Sequence, residues 1–213
     1  SGNFKITASK SGYYSSELSV KVDSGKVTRG DFVLQKQKYG TIYGTIIDVV
    51  SNQPIQGVTV ATDPVSGIVN TSATGQYKLE NIIILKNQTY KVTASKSDLY
   101  DVVTKSVTFG DSTEINVSFS MDPQYGSIEG NVTDSKTLLP VAGVSISTNP
   151  ATSSVLTNAQ GYYKIENVKK LTGATAKYTI TAEKSGYVKN SSISVVVLGG
   201  KVTKGDIILT PTP

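Results

Sequence analysis

Neither cysteine nor histidine occurs anywhere in the 213 residues, and tryptophan is missing too. These absences exclude a disulfide framework, a thiolate nucleophile, an imidazole base and the usual zinc ligands. Charge is sparse: Asp, Glu, Lys and Arg make up 17% of the chain, against about a quarter in an average protein. No apolar run approaches the ~18 residues needed to span a bilayer; the longest are residues 82–85 and 195–198. No signal peptide is visible, because Ser1-Gly2-Asn3-Phe4 already opens a strand-like pattern, so targeting segments are expected outside this stretch. The net charge of +5 is dispersed. Its densest groups, Gln35-Lys36-Gln37-Lys38 and Lys169-Lys170, lack aromatic interleaving, so no nucleic-acid partner is expected. Lysines scattered on strands serve solubility and edge protection.

What is abundant is serine and threonine, about a quarter of the chain, and tyrosine, which outnumbers phenylalanine 12 to 4. That mix suits half-buried strands with hydroxyl-rich outer faces. The chain also repeats itself. Tyr39-Gly40-Thr41-Ile42-Tyr43-Gly44 returns 86 residues later as Tyr125-Gly126-Ser127-Ile128-Glu129-Gly130. At the same shift Pro54 meets Pro140, Gly57-Val58 meets Gly143-Val144, and Asp63-Pro64 meets Asn149-Pro150. Gly75-Gln76-Tyr77-Lys78-Leu79-Glu80-Asn81 likewise meets Gly161-Tyr162-Tyr163-Lys164-Ile165-Glu166-Asn167. Two complete copies follow, at 39–124 and 125–213. Residues 1–38 match the back half of a copy: Lys26-Val27-Thr28-Arg29-Gly30-Asp31-Phe32 resembles Lys201-Val202-Thr203-Lys204-Gly205-Asp206-Ile207 better than the middle copy. An alternating two-domain period of about 175 residues is therefore expected in a longer parent chain.

Each unit reads as all-β. The run from Thr41 to Asp48 alternates, with Ile42, Gly44 and Ile46 on one face and Thr41, Tyr43 and Thr45 on the other. Val58/Val60, Tyr77/Leu79 and Val92/Ala94 continue the pattern, punctuated by Ser51-Asn52-Gln53-Pro54, Asp63-Pro64, Ala73-Thr74-Gly75 and Gly110-Asp111-Ser112. Short strands at this spacing without helical period predict about seven strands per copy, packed as a sandwich. Residues 1–38 supply the last three strands of such a unit, leaving apolar faces at Ile6, Val20, Val22 and Phe32 uncovered.

Gly-Thr-Ile-x-Gly-x-x-x-Asp, then Pro-x-x-Gly-Val, Thr-x-x-x-Gly-x-Tyr and Tyr-x-x-Thr-Ala-x-Lys-x-Gly-Tyr resemble the carboxypeptidase regulatory-like domain. The resemblance covers both complete copies and the partial one. It implies tandem seven-stranded β-sandwiches of transthyretin-like or immunoglobulin-like fold. For function it implies only accessory, stalk or surface modules. In the middle copy Ser97-Asp98-Leu99-Tyr100 replaces the Ser-Gly-Tyr turn. Related surface domains form internal Lys–Asn cross-links, but the first strands here hold no lysine, and Asn116 has apolar Ile207-Ile208 in the matching region of the last copy, so none is expected.

No catalytic, cofactor-binding or metal site is expected. Gly-x-x-x-Gly at Gly40/Gly44 and Gly126/Gly130 marks close backbone approach on a strand rather than a membrane helix pair. Neither a phosphate loop nor Ser-x-x-Lys occurs. Asp63, Asp111, Asp122 and Asp134 are the candidate calcium ligands, but no Asp-x-Asp-x-Asp cluster gathers them, and they read as solvated loop acids. Recurrence of Asp48 as Asp134, and of Glu80 as Glu166, points to turn capping. Five Asn-x-Ser/Thr sequences begin at Asn70, Asn87, Asn116, Asn131 and Asn190. Asn87 and Asn190, expected in turns, are the better N-glycosylation candidates, with Asn70 beside them; Asn116 and Asn131 fall in predicted strands.

The copies are joined through about four residues, Gln35 to Lys38 and Met121 to Gln124, with Pro123 stiffening the second connection. A stiff rod of roughly 90 to 100 Å is expected for two and a half units. The uncovered face of 1–38 is met either by preceding repeats in a longer tandem chain or by strands from a neighbouring copy. Both give head-to-tail self-association. The expected role is a structural extracellular rod or filament at a prokaryotic cell surface. The alternative is an adhesin stalk or carbohydrate-binding accessory region of a secreted hydrolase, contacting cell-wall or surface glycans. Tyr13, Tyr14, Tyr162 and Tyr187 are candidates to stack on sugars or to cover strand and joint surfaces.

Overall fold

The computed structural model describes residues 1–173 and 176–213. Strands β1 (Gly2–Ala8) and β2 (Ser16–Val22) form an antiparallel hairpin. Eight strands follow: β3 (Tyr39–Asp48), β4 (Thr59–Asp63), β5 (Ile68–Asn70), β6 (Gln76–Ile83), β7 (Thr89–Ser95), β8 (Val103–Thr108), β9 (Glu114–Asn116) and β10 (Phe119–Met121). The same order recurs as β11 (Tyr125–Asp134), β12 (Ser145–Asn149), β13 (Val155–Leu156), β14 (Tyr162–Lys169), β15 (Tyr178–Glu183), β16 (Asn190–Val195), β17 (Val202–Lys204) and β18 (Ile207–Leu209).

In each set one layer centres on the long first strand, flanked by β6 or β14 antiparallel and by the closing strand pair parallel. The other layer runs β5-β4-β7-β8, or β13-β12-β15-β16. Two hydrophobic cores lie between the layers. Ile42, Ile46, Val60, Leu79, Val92 and Phe119 are inside the first; Ile128, Val132, Ile146, Ile165, Ile180 and Ile207 are inside the second. The alternation read from 41–48 holds, with Ile42, Gly44 and Ile46 buried between partly exposed neighbours. Counting β9 with β10 as one interrupted strand gives seven per sandwich.

The interruption has a chemical reason. At Val117-Ser118 the closing strand bulges toward Gly44, where a methyl group would collide with the Val117 carbonyl. That carbonyl accepts a hydrogen bond from the buried Tyr77 hydroxyl. In the second sandwich the Gly205 carbonyl meets Gly130 and accepts from Tyr163 Oη at 2.5 Å. The recurring Gly and Tyr thus hold one bulge, and Gly-x-x-x-Gly is a strand motif here. Gly40 and Gly126 make room for the Phe109 ring and the Leu198 carbonyl. Asp63-Pro64 and Asn149-Pro150, at matched positions, are both cis.

Residues 1–38 depart from expectation. Two of the three predicted strands form; residues 31–35 do not pair as a strand. Their counterparts, Phe119–Met121 and Ile207–Leu209, pair only with the first strand of their own sandwich, and 1–38 contains no such strand. No side chain of 1–38 is buried, Ile6, Val20, Val22 and Phe32 are half-exposed, and Phe4 is 56% exposed.

Candidate functional site

The joints between successive units carry the most specific geometry in the chain. Each back half contains a turn ending in tyrosine, and that tyrosine forms an isolated antiparallel bridge with the segment leaving the unit: Tyr13 with Lys36, Tyr100 with Pro123, Tyr187 with Pro211. Backbone bonds close each clasp. Tyr14 N–H donates to Gln35 O at 2.8 Å and Gln37 N–H to Gly12 O at 2.8 Å. Asp101 N–H donates to Asp122 O at 2.9 Å and Gln124 N–H to Leu99 O at 2.8 Å. Val188 N–H donates to Thr210 O at 2.8 Å and Thr212 N–H to Gly186 O at 2.9 Å.

The clasped segment then meets the next sandwich. Ile84 N–H donates to Lys38 O at 2.8 Å, and Lys170 N–H to Gln124 O at 2.7 Å. Side chains differ at equivalent positions. In the first joint the Tyr14 hydroxyl donates to the Ile84 carbonyl and accepts from Lys38 N–H at 3.1 Å. In the second, Asp101 replaces Tyr14 and Lys170 replaces Ile84; Lys170 Nζ stands 2.6 Å from Asp101 Oδ2 and 3.4 Å from Asp122 Oδ2. Burial of the Lys170 side chain opposes its charge, yet its hydrogen bond to Asp101 and the two carboxylates outweigh this and raise its pKa. The fit is close elsewhere: Gly199 lies against the Pro123 carbonyl, and a methyl on Gly200 would stand 3.1 Å from Val50.

Behind the Tyr100 and Tyr187 clasps, an aspartate ties the first strand to the tyrosine. Asp48 Oδ1 accepts from Val50 N–H at 2.7 Å and Ser51 N–H at 2.9 Å, while Oδ2 accepts from Tyr100 Oη at 3.0 Å. Asp134 repeats this with Lys136 N–H at 2.8 Å, Thr137 N–H at 2.9 Å and Tyr187 Oη at 3.0 Å. Burial works against the Asp48 carboxylate, but the backbone donors and Tyr100 hold its pKa below the usual value. Backbone donors do the same for Asp134. Both cap turns, as their recurrence predicts. The Tyr100 hydroxyl is pushed up to about 12 by burial and Asp48.

Most of the sugar-stacking candidates are engaged. Tyr14 belongs to the joint, Tyr162 Oη donates to Glu129 Oε2 at 2.9 Å, Tyr187 serves Asp134, and Tyr13 lies under Lys10 Nζ at 5.2 Å. Of the acids, Asp122 sits in the joint, Asp134 caps a turn, and Asp63 and Asp111 are exposed. No group of three or more acids gathers among the described residues. Asn87 is exposed in a turn with φ of 61°, and exposed Asn70 ends β5 with its Oδ1 accepting from Thr59. Asn190 heads β16 instead of lying in a turn, its amide donating to Ile208 O at 2.9 Å and its Oδ1 accepting from Ser192. Sequence reading missed Lys170, passing Lys169-Lys170 over as a scattered basic pair. The available signal was the swap of Tyr14 and Ile84 at one joint for Asp101 and Lys170 at the next.

The chain is 31% identical over 81 residues to Bacillopeptidase F of Bacillus subtilis, covering 37% of this chain and 6% of that protein. Among solved structures it is similar to a minor pilin of Streptococcus agalactiae, with TM-score 0.46 and 13% identity over 82% of this chain and 97% of that one. A streptococcal ancillary pilin gives TM-score 0.45 and 13% identity over 100% and 76%. A shaft pilin of Lactobacillus rhamnosus GG gives 0.42 and 12% over 84% and 99%. The model of the carboxypeptidase regulatory-like domain matches residues 127–210. The segment 127–210, which makes up the second sandwich, is a carboxypeptidase regulatory-like domain.

Proposed function

We propose that the chain is a structural segment of a stiff extracellular rod or filament at a prokaryotic cell surface, built from units at 1–38, 39–124 and 125–213. The observation that carries this reading is the joint. A connection of three residues between β10 and β11, Asp122 to Gln124, held on both sides by backbone hydrogen bonds, with Lys170 shared between two carboxylates, supports transmission of load over reorientation. The open face of 1–38 supports head-to-tail association. In both sandwiches the equivalent face is covered by a first strand and its antiparallel neighbour, the pair that this association would supply. Hydroxyl-rich outer faces fit exposure outside the cell.

A second reading is favoured by the match to Bacillopeptidase F: an accessory stalk of a larger secreted hydrolase. Electron microscopy of native material, with intact mass measured on the same preparation, separates the two. Uniform fibres with an axial repeat of one or two sandwich lengths are expected. Short rods attached to a globular body would overturn the filament and favour the stalk.

A further inference from the structure

The outward face of the β9-β3-β6 layer carries an open groove of about 760 Å³. Tyr43 lies in it beside Gln76, Lys78 and Asn116, with Asn70 at the rim. Tyr43 is 40% exposed, and its hydroxyl makes no hydrogen bond among the described residues, whereas nine of the other eleven tyrosines use theirs. The amide nitrogens of Asn70, Gln76 and Asn116 likewise have no partner among the described residues; only the oxygens of Asn70 and Asn116 are engaged, by Thr59 and Ser118.

The second sandwich builds the same place differently. Glu129 replaces Tyr43, and its oxygens accept from Lys204 Nζ at 2.5 Å and Tyr162 Oη at 2.9 Å. Lys204 and Tyr162 occupy the positions of Asn116 and Gln76, so the polar groups satisfy one another there. In the first sandwich the corresponding groups are exposed, without such partners among the described residues.

The lining also narrows the ligand's chemistry. Lys78 is paired with Glu80 at 2.5 Å, and Glu114 adds a negative charge, so an acidic polymer finds no spare cation. The floor is the face of the β9-β3-β6 layer, with residues of the edge strands β5 and β6 along it, so an extended peptide would find main-chain pairing only at an edge and not on the floor. What remains is a phenol ring, which packs against the apolar face of a sugar ring, bordered by amides that bond hydroxyl groups.

We propose that this groove binds a neutral, hydroxyl-rich polysaccharide, with Tyr43 under one sugar ring and Asn70, Gln76 and Asn116 bonding its hydroxyls. The proposal is independent of the rod reading. It is tested by NMR titration of the full chain with hexasaccharides of β-1,4-linked glucose, β-1,4-linked N-acetylglucosamine and α-1,4-linked glucose. Saturable shifts at Tyr43, Gln76 and Asn116 with at least one of them are expected, with Kd on the order of millimolar. Tyr43→Ala should weaken binding about tenfold or more and Tyr43→Phe should keep it, with unchanged thermal unfolding in both. Tyr43→Glu combined with Asn116→Lys, which installs the Glu129–Lys204 pair of the second sandwich, should abolish it. No shift with any of the three sugars, binding indifferent to Tyr43→Ala, or preference for oligogalacturonate or an unstructured peptide would overturn the proposal.

Discussion

Gly44 and Tyr77 show how a single position binds sequence to fold. The strand needs a residue without Cβ so that the Val117 carbonyl can approach, and the Tyr77 hydroxyl then satisfies that carbonyl inside the core. Gly44→Ala should therefore lower stability by about 2 to 4 kcal/mol. Gly57→Ala, at φ of 69° but with nothing near its missing Cβ, should cost only about 1 kcal/mol. Thermal unfolding of the two variants checks the order. The capping aspartates make a pH prediction. Their folded pKa values are lowered, so their contribution is complete above the unfolded carboxylate range near ~4 and is lost as pH falls through the folded values. Stability measured against pH should fall below about pH 4. Asp48→Asn with Asp134→Asn should lower the plateau and flatten that fall.

At the scale of elements, the strand pattern was legible because period-two alternation and turn residues agree across two copies. Ile42, Val60, Leu79 and Val92 went to the core as their spacing required. The 31–35 segment was not legible locally. Its sequence matches a strand, but a parallel closing strand exists only through its partner, and pairing is a property of two segments. The same difference predicts dynamics. Amides of β1 and β2, with no buried side chain beneath them, should exchange with deuterium orders of magnitude faster than those of β3, β7, β11 and β15. Comparable protection in the hairpin would show that its face is covered in solution.

Across the whole molecule, the joint was only half legible. Short connections and Pro123 pointed to where the units meet, while the Lys170 contacts required knowing which loops come together. The chemistry that varies between joints, Tyr14 with Ile84 in one and Asp101 with Lys170 in the other, sits on a shared backbone clasp. Lys170→Ala should loosen the second joint and leave the first unchanged, because the clasp bonds remain. Absence of cysteine makes the direct measurement clean, since introduced thiols label without competition. With spin labels at Thr104→Cys and Ser192→Cys, exposed on the two sandwiches, pulsed dipolar spectroscopy reads the distribution of distances across the joint. A stiff rod predicts one narrow distribution that broadens on Lys170→Ala. A broad distribution in the otherwise native chain would contradict it.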